Sequence, residues 1–214
     1  MKAVAQTAAR VREQGLVGGL LTSSFDDLGR WINEQRSDIA KMAAPDGTVA
    51  IFFSDIEDST ALNEQLGDER WVRVLSAHNV LVRRSVEKRG GHVVKSQGDG
   101  FMVVFRESAE AARASLDVQR AFDGPKPRAL RQTQIRIRIG LHVGETVSRE
   151  GDYFGRNVAM AARIAAAADG GEVLVSDDLR AALAEDDGFR FEPRGEVELK
   201  GLADRHALWA LGCA

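Results

Sequence analysis

From residue 48 onward, apolar residues recur with two periodicities, one typical of strands and one typical of helices. Residues 48–54 are mostly apolar, and residues 58–89 carry apolar side chains at helical spacing, which Gly67-Asp68 can interrupt. Two short β-like runs follow at 92–97 and 101–105. The pattern therefore predicts a strand, a long helical segment and a hairpin.

The next part of the chain repeats this alternation. Residues 107–122 are Ala-rich and helical in pattern, whereas residues 134–143 alternate strictly, with Arg136 and Arg138 on the polar side. Such alternation predicts a half-buried strand. The remaining predicted elements are a helix at 157–168, a strand at 172–176, a short helix at 177–184, and an antiparallel pair at 189–199 and 206–211. This order predicts an α+β fold with a ferredoxin-like βαββαβ core and extra C-terminal strands.

Residues 1–44 are interpreted as an N-terminal helical extension, and residues 45–214 as the main domain. Asp27–Met42 has an apolar stripe at helical spacing, and the segment after it contains Pro45 and Gly47, which end helices. The extension is either a surface helix packed on the main domain or part of a dimerising or regulatory helix pair. A chain of 214 residues has room for one full α/β domain and such an extension.

Charge and composition restrict the function classes. A net charge of -3 and a pI of about 5.9 argue against a broad basic surface for nucleic acid, although a local basic pocket for a triphosphate stays open. The single cysteine, Cys213, excludes an internal disulfide and fits a reducing compartment. The apolar run at 16–21 is shorter than the roughly 20 residues that span a bilayer, and no signal peptide is recognisable. We therefore expect a cytoplasmic protein without a membrane span.

Asp55 and Asp99 are the strongest candidates for chemistry. Asp55 opens the polar turn after the first strand, and Asp99 lies in the hairpin turn Gly98-Asp99-Gly100. A carboxylate at a strand end, beside the N–H groups of a turn, can hold Mg²⁺ while the turn holds phosphates. Two such places predict a two-metal site for a nucleoside triphosphate. Each residue also has a simpler interpretation, since Asp55 can cap the following helix and Asp99 can serve the hairpin geometry.

Several sequence stretches occur in a specific order between residues 48 and 211. They are Phe53–Thr60, Lys95–Phe101, Arg138–Gly144, Asp152–Gly155 with Ala161–Arg163, and Arg194–Gly195 with Lys200–Gly201. Together they resemble the catalytic domain of class III adenylyl/guanylyl cyclases. The short segment between Gly144 and Asp152 is similar to the bacterial subgroup with an abbreviated dimerisation arm.

The resemblance implies a head-to-tail homodimer with catalytic sites at its interface and two Mg²⁺ or Mn²⁺ ions per site. One subunit would hold the metals and the phosphates, through the carboxylates of Asp55 and Asp99, the carbonyl of Ile56, the N–H groups of Asp58, Ser59 and Thr60, and the side chain of Arg138. The partner would supply Lys95 and Asp152 to read the purine, Arg163 to stabilise the transition state, and Lys200 to hold the triphosphate.

Lys95 and Asp152 fit adenine better than guanine. A lysine can donate to adenine N1 and a carboxylate can accept from the N6 amine, whereas guanine would set like groups against each other, at about 1–3 kcal/mol for each mispaired group. Taken alone, Lys95 is a solvated strand lysine, Asp152 a turn residue, and the candidate arginines and Lys200 are surface cations. The resemblance favours ATP as substrate, 3′,5′-cyclic AMP and pyrophosphate as products, and no nucleic-acid partner.

The chain departs from the family pattern at Ala159, where an asparagine usually stands four residues before the helix arginine. Either one transition-state contact is lost, or a water or Asn157 replaces it. A guanylyl or relaxed-purine cyclase, and a catalytically weak nucleotide-sensing dimer, stay as alternatives. Two neighbouring residues are expected to have no catalytic role: His142 as a strand residue and Glu57 as a solvated one.

Overall fold

The computed structural model describes residues 41–145 and 153–214. Its strands are β1 (Thr48–Ile56), β2 (His92–Gln97), β3 (Gly100–Phe105), β4 (Ile137–Glu145), β5 (Val173–Ser176), β6 (Phe189–Glu198) and β7 (Arg205–Cys213). Its helices are α1 (Ser59–Leu66), α2 (Asp68–Lys88), α3 (Ser108–Asp123), α4 (Tyr153–Ala167) and α5 (Asp177–Ala182), with a 3-10 turn at Arg128–Leu130. The break predicted at Gly67-Asp68 separates α1 from α2.

All the strands belong to one sheet in the order β2-β3-β1-β4-β5-β7-β6. The first four strands pair antiparallel, in the order expected of a ferredoxin-like βαββαβ unit. Strand β5 adds parallel to β4, and the β6–β7 pair extends the sheet beyond β5. The predicted α+β fold class with extra C-terminal strands is therefore confirmed.

The two faces of the sheet carry separate hydrophobic cores. On the first face, α2, α3 and α5 cover apolar residues of β1, β3, β4 and β5, including the fully buried Phe52 and Phe101. On the second face, α4 packs on the alternate residues of β1 and β3, such as Phe53 and Met102, and on the β5–β7 region. Met42 and Ala43, which precede β1, also pack against this second core.

Strand β4 differs from the half-buried strand that its alternation predicts. Gly140 and His142, on the side expected to be polar, are buried because α4 packs directly over them. A Cβ atom on Gly140 would lie 2.1 Å from the backbone nitrogen of Ala165. Glycine thus permits the close approach of helix and strand, which a count of apolar residues does not reveal.

Several expectations fall outside the described residues. The predicted helix Asp27–Met42 lies almost wholly before residue 41, so the proposed extension 1–44 stays a prediction, and Asp152 lies in the second gap. Helix α4 begins at Tyr153, four residues before its predicted start. None of the helices in the described ranges is long and apolar enough to cross a membrane.

Candidate active site

Asp55 and Arg138 form a bidentate ion pair at one end of the sheet. They are direct partners across β1 and β4. The Arg138 Nε donates to Asp55 Oδ1 at 2.8 Å, and Nη2 donates to Oδ2 at 2.6 Å. Asp55 is 2% exposed, so its carboxylate is shielded from solvent. Arg138 binds both carboxylate oxygens, the geometry of a strong charge-assisted pair.

Burial dominates the protonation of this pair. Desolvation raises the pKa of Asp55 to about 6, and Asp99 and Glu57 add repulsion, although the two bonds from Arg138 oppose the rise. For Arg138, burial lowers the pKa, but the bonds to Asp55 more than offset this and hold it above its ordinary value. The carboxylate of Asp55 therefore carries a proton more readily than an exposed aspartate does.

Asp99 lies beside Asp55 because the hairpin turn meets the end of β1. Gly98, with φ of 60°, and Asp99 form the two-residue turn that joins β2 to β3. The Ile56 amide donates to Asp99 Oδ2 at 3.0 Å, and Asp99 is 3% exposed. The structure thus brings together Asp55, Ile56 and Asp99, the three residues that the resemblance to the cyclase family implies as metal ligands.

The chain after β1 turns sharply into α1. Asp58 adopts a left-handed conformation, with φ of 53° and ψ of 33°, and its carbonyl accepts from the Leu62 amide at 3.0 Å. Helix α1 begins at Ser59, so the positive end of its helix dipole directly follows the turn at Asp58. This arrangement suits an anion, and it follows within four residues of Asp55.

Glu57 is bound rather than solvated, contrary to the expectation from the sequence. Its Oε1 accepts from the Gly170 amide at 2.7 Å, and its own amide donates to the Arg136 carbonyl at 2.9 Å. The Arg136 Nε donates to the Gly170 carbonyl at 2.9 Å. Nothing in the local sequence indicates this bond, because its partner is a backbone group 113 residues away.

Lys95 owes its direction to the register of the β2–β3 hairpin. The pairing shifts between Val93 and Lys95, so that Val94 is an extra residue in the strand. Val93 opposes Val103 and packs on the first face, whereas Lys95 opposes Met102, a residue of the second face. Counted back from the turn, where Gln97 opposes Gly100, Lys95 opposes Met102 with or without the bulge, and the extra residue instead lets Val93 lie on the first face. Burial lowers the pKa of its ammonium group.

Arg163 and Lys200 come from a different part of the fold. Arg163 lies two residues from Ala161 and Ala165, whose backbones approach Gly140, and is therefore turned about 200° away from the sheet. It is 8% exposed, its Nε and Nη1 have no hydrogen-bond partner in the described part of the chain, and burial lowers its pKa. An unsatisfied buried guanidinium is unfavourable unless a ligand or partner completes it.

Packing brings the segment of Lys200 close to α4. Leu199, 4% exposed, packs in one cluster with Met160 and Ile164 of α4. Lys200 itself is exposed and lines a cavity of about 560 Å³ at the β6–β7 connection. The candidate residues therefore fall into an acidic group at the ends of β1 and β3, and a cationic group on α4 and the β6–β7 connection.

Asn157 does not take the position of the asparagine missing at Ala159. Its Oδ1 lies 3.2 Å from Nε2 of His142, and its Nδ2 donates to the Glu145 carbonyl at 3.1 Å. His142 is buried, with Nδ1 2.9 Å from Ser176 Oγ, and burial lowers its pKa. These contacts hold Asn157 against the sheet, on a different side of α4 from Arg163.

The acidic group suits a divalent metal through the chemistry of its donors. Two carboxylates and one backbone carbonyl are hard oxygen ligands, and Mg²⁺ commonly combines one or two carboxylates with phosphate oxygens of a substrate. Residues 41–145 and 153–214 contain no cluster of three or more His, Cys, Asp or Glu side chains that could hold a metal without such help.

Comparison with known proteins identifies the family. The sequence profile of the adenylate and guanylate cyclase catalytic domain matches residues 42–212. Adenylate cyclase of Mycosarcoma maydis is 33% identical over 162 residues, or 65% of this chain and 6% of that protein. Adenylate cyclase of Podospora anserina is 34% identical over 169 residues, or 67% of this chain and 8% of that protein. This chain thus spans only a small part of the length of these relatives.

A solved structure agrees with the sequence match. The guanylate cyclase domain of RhGC from Catenaria anguillulae superimposes with a TM-score of 0.68, at 22% identity, over 78% of this chain and 97% of that one. At this identity the likeness shows the fold alone. With the profile match, which covers most of the chain, it leads to one assignment: the chain belongs to the class III adenylyl/guanylyl cyclase catalytic-domain family.

Proposed function

We propose that this chain is an adenylate cyclase that converts ATP to 3′,5′-cyclic AMP and pyrophosphate at the interface of a head-to-tail homodimer. The observation that carries the proposal is that Asp55 and Asp99 lie together at the end of β1, where the Ile56 amide is 3.0 Å from Asp99 Oδ2. Helix α1 begins directly after this group, at Ser59. Such an arrangement would suit a metal-bound triphosphate, the kind of substrate that this family uses.

Two Mg²⁺ or Mn²⁺ ions would be held by Asp55, Asp99 and the Ile56 carbonyl. When bound, such ions lower the pKa of the attacking 3′-hydroxyl and neutralise charge on the phosphates. The N–H groups of Asp58, Ser59 and Thr60 would bind phosphate oxygens at the start of α1. Arg138, now paired with Asp55, would exchange one anionic partner for another by turning to the phosphates.

The second subunit would complete the site. Arg163 has two nitrogens without a hydrogen-bond partner in the described residues, and a guanidinium placed against the reacting phosphate would stabilise its developing charge, an effect worth roughly 2.7–4 kcal/mol. Lys200, exposed near α4, would bind the triphosphate. Neither residue belongs to the acidic group of its own chain, which favours sites shared between two copies.

The selection of ATP rests on Lys95 and Asp152. Lys95 opposes Met102 and therefore lies on the second face of the sheet, where α4 also lies, and a lysine there can donate to adenine N1. Asp152 would accept from the adenine N6 amine. A guanylyl or relaxed-purine cyclase is the enzymatic alternative, because Lys95 and Asp152 would have to distinguish adenine from guanine by only two polar contacts.

One observation favours a second candidate function. Ala159 supplies no polar group next to Arg163, and Asn157 is bound to His142 and Glu145 instead. A chain that lacks this contact could bind ATP as a dimer and turn it over slowly, as a nucleotide sensor. The charged candidates are nevertheless all present in the sequence, so we place catalysis first.

Product analysis tests the proposal. Purified protein is incubated with Mn²⁺ and either ATP or GTP over a range of protein concentrations, and cyclic nucleotides are quantified by chromatography and mass spectrometry. We expect cyclic AMP to exceed cyclic GMP and the specific activity to rise with protein concentration as dimers form. Asp55→Ala should abolish the activity, whereas Asp123→Ala, which removes an exposed carboxylate at the end of α3, should not.

Each contrary result has a defined meaning. Faster turnover of GTP would refute the argument from Lys95 and Asp152. ATP binding without cyclic AMP in any condition would support the sensor. Full activity of Asp55→Ala would refute the assignment of the metal ligands.

A further inference from the structure

A second cationic site lies apart from the candidate active site. A cavity of about 740 Å³ opens between the first turns of α2 and the 3-10 turn at Arg128–Leu130. We call it the arginine cleft, and its lining consists of Arg70, Arg73, Val74, Arg128, Ala129, Arg131 and Gln132. None of the candidate catalytic residues contributes to it.

Local structure explains why four arginines line one cleft. Arg70 and Arg73 are three residues apart on α2 and therefore share one side of the helix. Arg128 and Arg131 are three residues apart across the 3-10 turn, a geometry in which such side chains eclipse each other. Val74, 2% exposed, lies next to Arg73 and contributes an apolar floor.

The 3-10 turn is fixed to the domain rather than loosely attached. Leu130 is 1% exposed and belongs to the core of the first face. Its amide donates to the Pro127 carbonyl at 2.9 Å, and its carbonyl accepts from the Thr133 amide at 3.4 Å. Arg128 and Arg131 are therefore carried on a short segment that a buried leucine holds in place.

The positive charge in the cleft is mostly unneutralised. Arg73 pairs with Glu69 at 2.5 Å, but both side chains are mainly exposed, so the pair is weak. Arg70 and Arg128 make no ion pair within the described residues. By contrast, three arginines elsewhere in the fold are each paired with two acids: Arg89 with Glu110 and Asp117, Arg113 with Glu110 and Asp186, and Arg194 with Asp169 and Glu172.

We propose that the arginine cleft binds a small anion with two or more linked phosphates, such as pyrophosphate or a nucleoside polyphosphate. The side chains of four exposed arginines line one cavity, so an anion that enters it meets several positive charges at once. Guanidinium groups also match phosphate oxygens in bidentate geometry. The volume lies within the range of small-molecule sites, and the apolar floor of Val74 and Ala129 leaves room for an organic part of the ligand.

Calorimetric titration without divalent metal tests this site separately from the proposed cyclase. Sodium pyrophosphate, ADP and orthophosphate are titrated into the full chain in the presence of a chelator, so that no turnover and no metal-dependent binding contribute. We expect pyrophosphate to bind, and the double variant Arg70→Ser/Arg128→Ser to weaken its affinity at least about tenfold, because each charge-assisted hydrogen bond is worth roughly that factor. ADP that binds more tightly than pyrophosphate would identify a nucleotide as the ligand, and equal affinities would identify linked phosphates alone.

Matched controls make the result specific. Arg84→Ser/Lys88→Ser removes the same charge from exposed positions of α2 outside the cleft and should leave pyrophosphate binding unchanged. Unfolding curves confirm that both double variants are folded. The proposal is overturned if no probe binds, if both double variants lose affinity equally, or if orthophosphate binds as tightly as pyrophosphate. It is also overturned if Lys200→Ala abolishes binding and the cleft variant does not, since the anion then occupies the candidate cyclase site.

Discussion

The carboxylate of Glu57 accepts a hydrogen bond from the backbone amide of Gly170 at 2.7 Å, and so joins the turn after β1 to the loop after α4. The same loop is held to β6 by Arg194, which pairs with Asp169 at 2.9 Å and with Glu172 at 2.8 Å. One short loop, 168–172, therefore connects the acidic end of the candidate site to β6, the strand that precedes Lys200. Residues of this loop form the bonds on both sides.

Gly170→Ala should break this connection. A Cβ atom there would lie 2.5 Å from Glu57 Oε2 and 2.6 Å from Arg136 Cβ, so the carboxylate has to move. We expect a loss of about 1–3 kcal/mol in the free energy of unfolding, measured by urea denaturation. Gly212→Ala is the control, because a Cβ atom added to Gly212 would meet no atom within 4 Å. An equal effect of both substitutions would contradict the interpretation.

Glu57→Gln and Glu57→Ala should separate hydrogen bonding from charge. Glutamine keeps an acceptor for the Gly170 amide and loses only the 3.5 Å ion pair with Arg136, whose side chain is 62% exposed. We expect a change within about 0.5 kcal/mol for glutamine. Alanine leaves the Gly170 amide without its acceptor and should cost about 1–2 kcal/mol. Equal losses for the two variants would show that charge, not the hydrogen bond, is what matters.

Asp55→Asn should reveal the protonation of the buried carboxylate. Because the pKa of Asp55 is raised to about 6, the folded state binds a proton more tightly than the unfolded state, and the resulting stabilisation is lost as the pH rises through this value. Asparagine does not titrate. The stability of Asp55→Asn relative to the native chain should therefore increase between about pH 4 and pH 6, by an amount on the order of 2–3 kcal/mol, and then level off. Denaturation curves across this range check it, and a relative stability that falls with pH would show the opposite shift.

Arg138→Met should destabilise the protein in a pH-dependent way. At about pH 7.5 the variant leaves a buried carboxylate without its partner, and we expect a loss of about 3 kcal/mol in the free energy of unfolding. At about pH 5 Asp55 is mainly protonated, so the ion pair matters less and the loss should be less than half as large. Arg84→Met, at an exposed position of α2, is the control. A loss that is the same at both pH values would argue against the Asp55–Arg138 pair as its cause.

Mixing two inactive chains should test whether the sites are shared. Asp55→Ala and Lys95→Ala each damage every site of their own homodimer under the proposed arrangement. A heterodimer would carry one intact site and one doubly damaged site, so random mixing should restore about a quarter of the native activity. The assay is cyclic AMP formation after co-refolding or co-expression. Confirmed heterodimers without activity would mean that Asp55 and Lys95 serve the same site within one chain.

The sequence predicts most of the fold because the periodicities of this chain are regular. Strands β1 to β3, the interruption between α1 and α2, and the antiparallel C-terminal pair all follow from spacing and from Gly or Pro at the ends. The covered second face of β4 does not, because it depends on how closely α4 can approach Gly140. On the strand this contact is made at Gly140, which has no side chain, so β4 carries no apolar residue there to indicate it.

The site is predictable to a similar degree, and for a similar reason. Asp55 and Asp99 stand out because Asp55 lies at the end of β1 and Asp99 in the turn between β2 and β3, and the structure places both at one end of the sheet. The sequence alone puts Glu57 in solvent, since its partner is a backbone amide distant along the chain. The arginine cleft has a visible signal in two pairs of arginines with spacing of three, but only the tertiary fold shows that the pairs face each other.

The distance from the turn makes the orientation of Lys95 a matter of counting rather than of residue type. Because Gln97 opposes Gly100, Lys95 opposes Met102, and a relative that lacked Val94 would keep its lysine on the same surface of the sheet. A relative with one residue inserted between this lysine and the Gly-Asp-Gly turn would display it on the opposite surface, although comparison by identity alone would score the lysine as retained. Inheritance of base selectivity in this group of proteins should therefore be judged by the number of residues between the lysine and the turn as well as by the amino acid at this position.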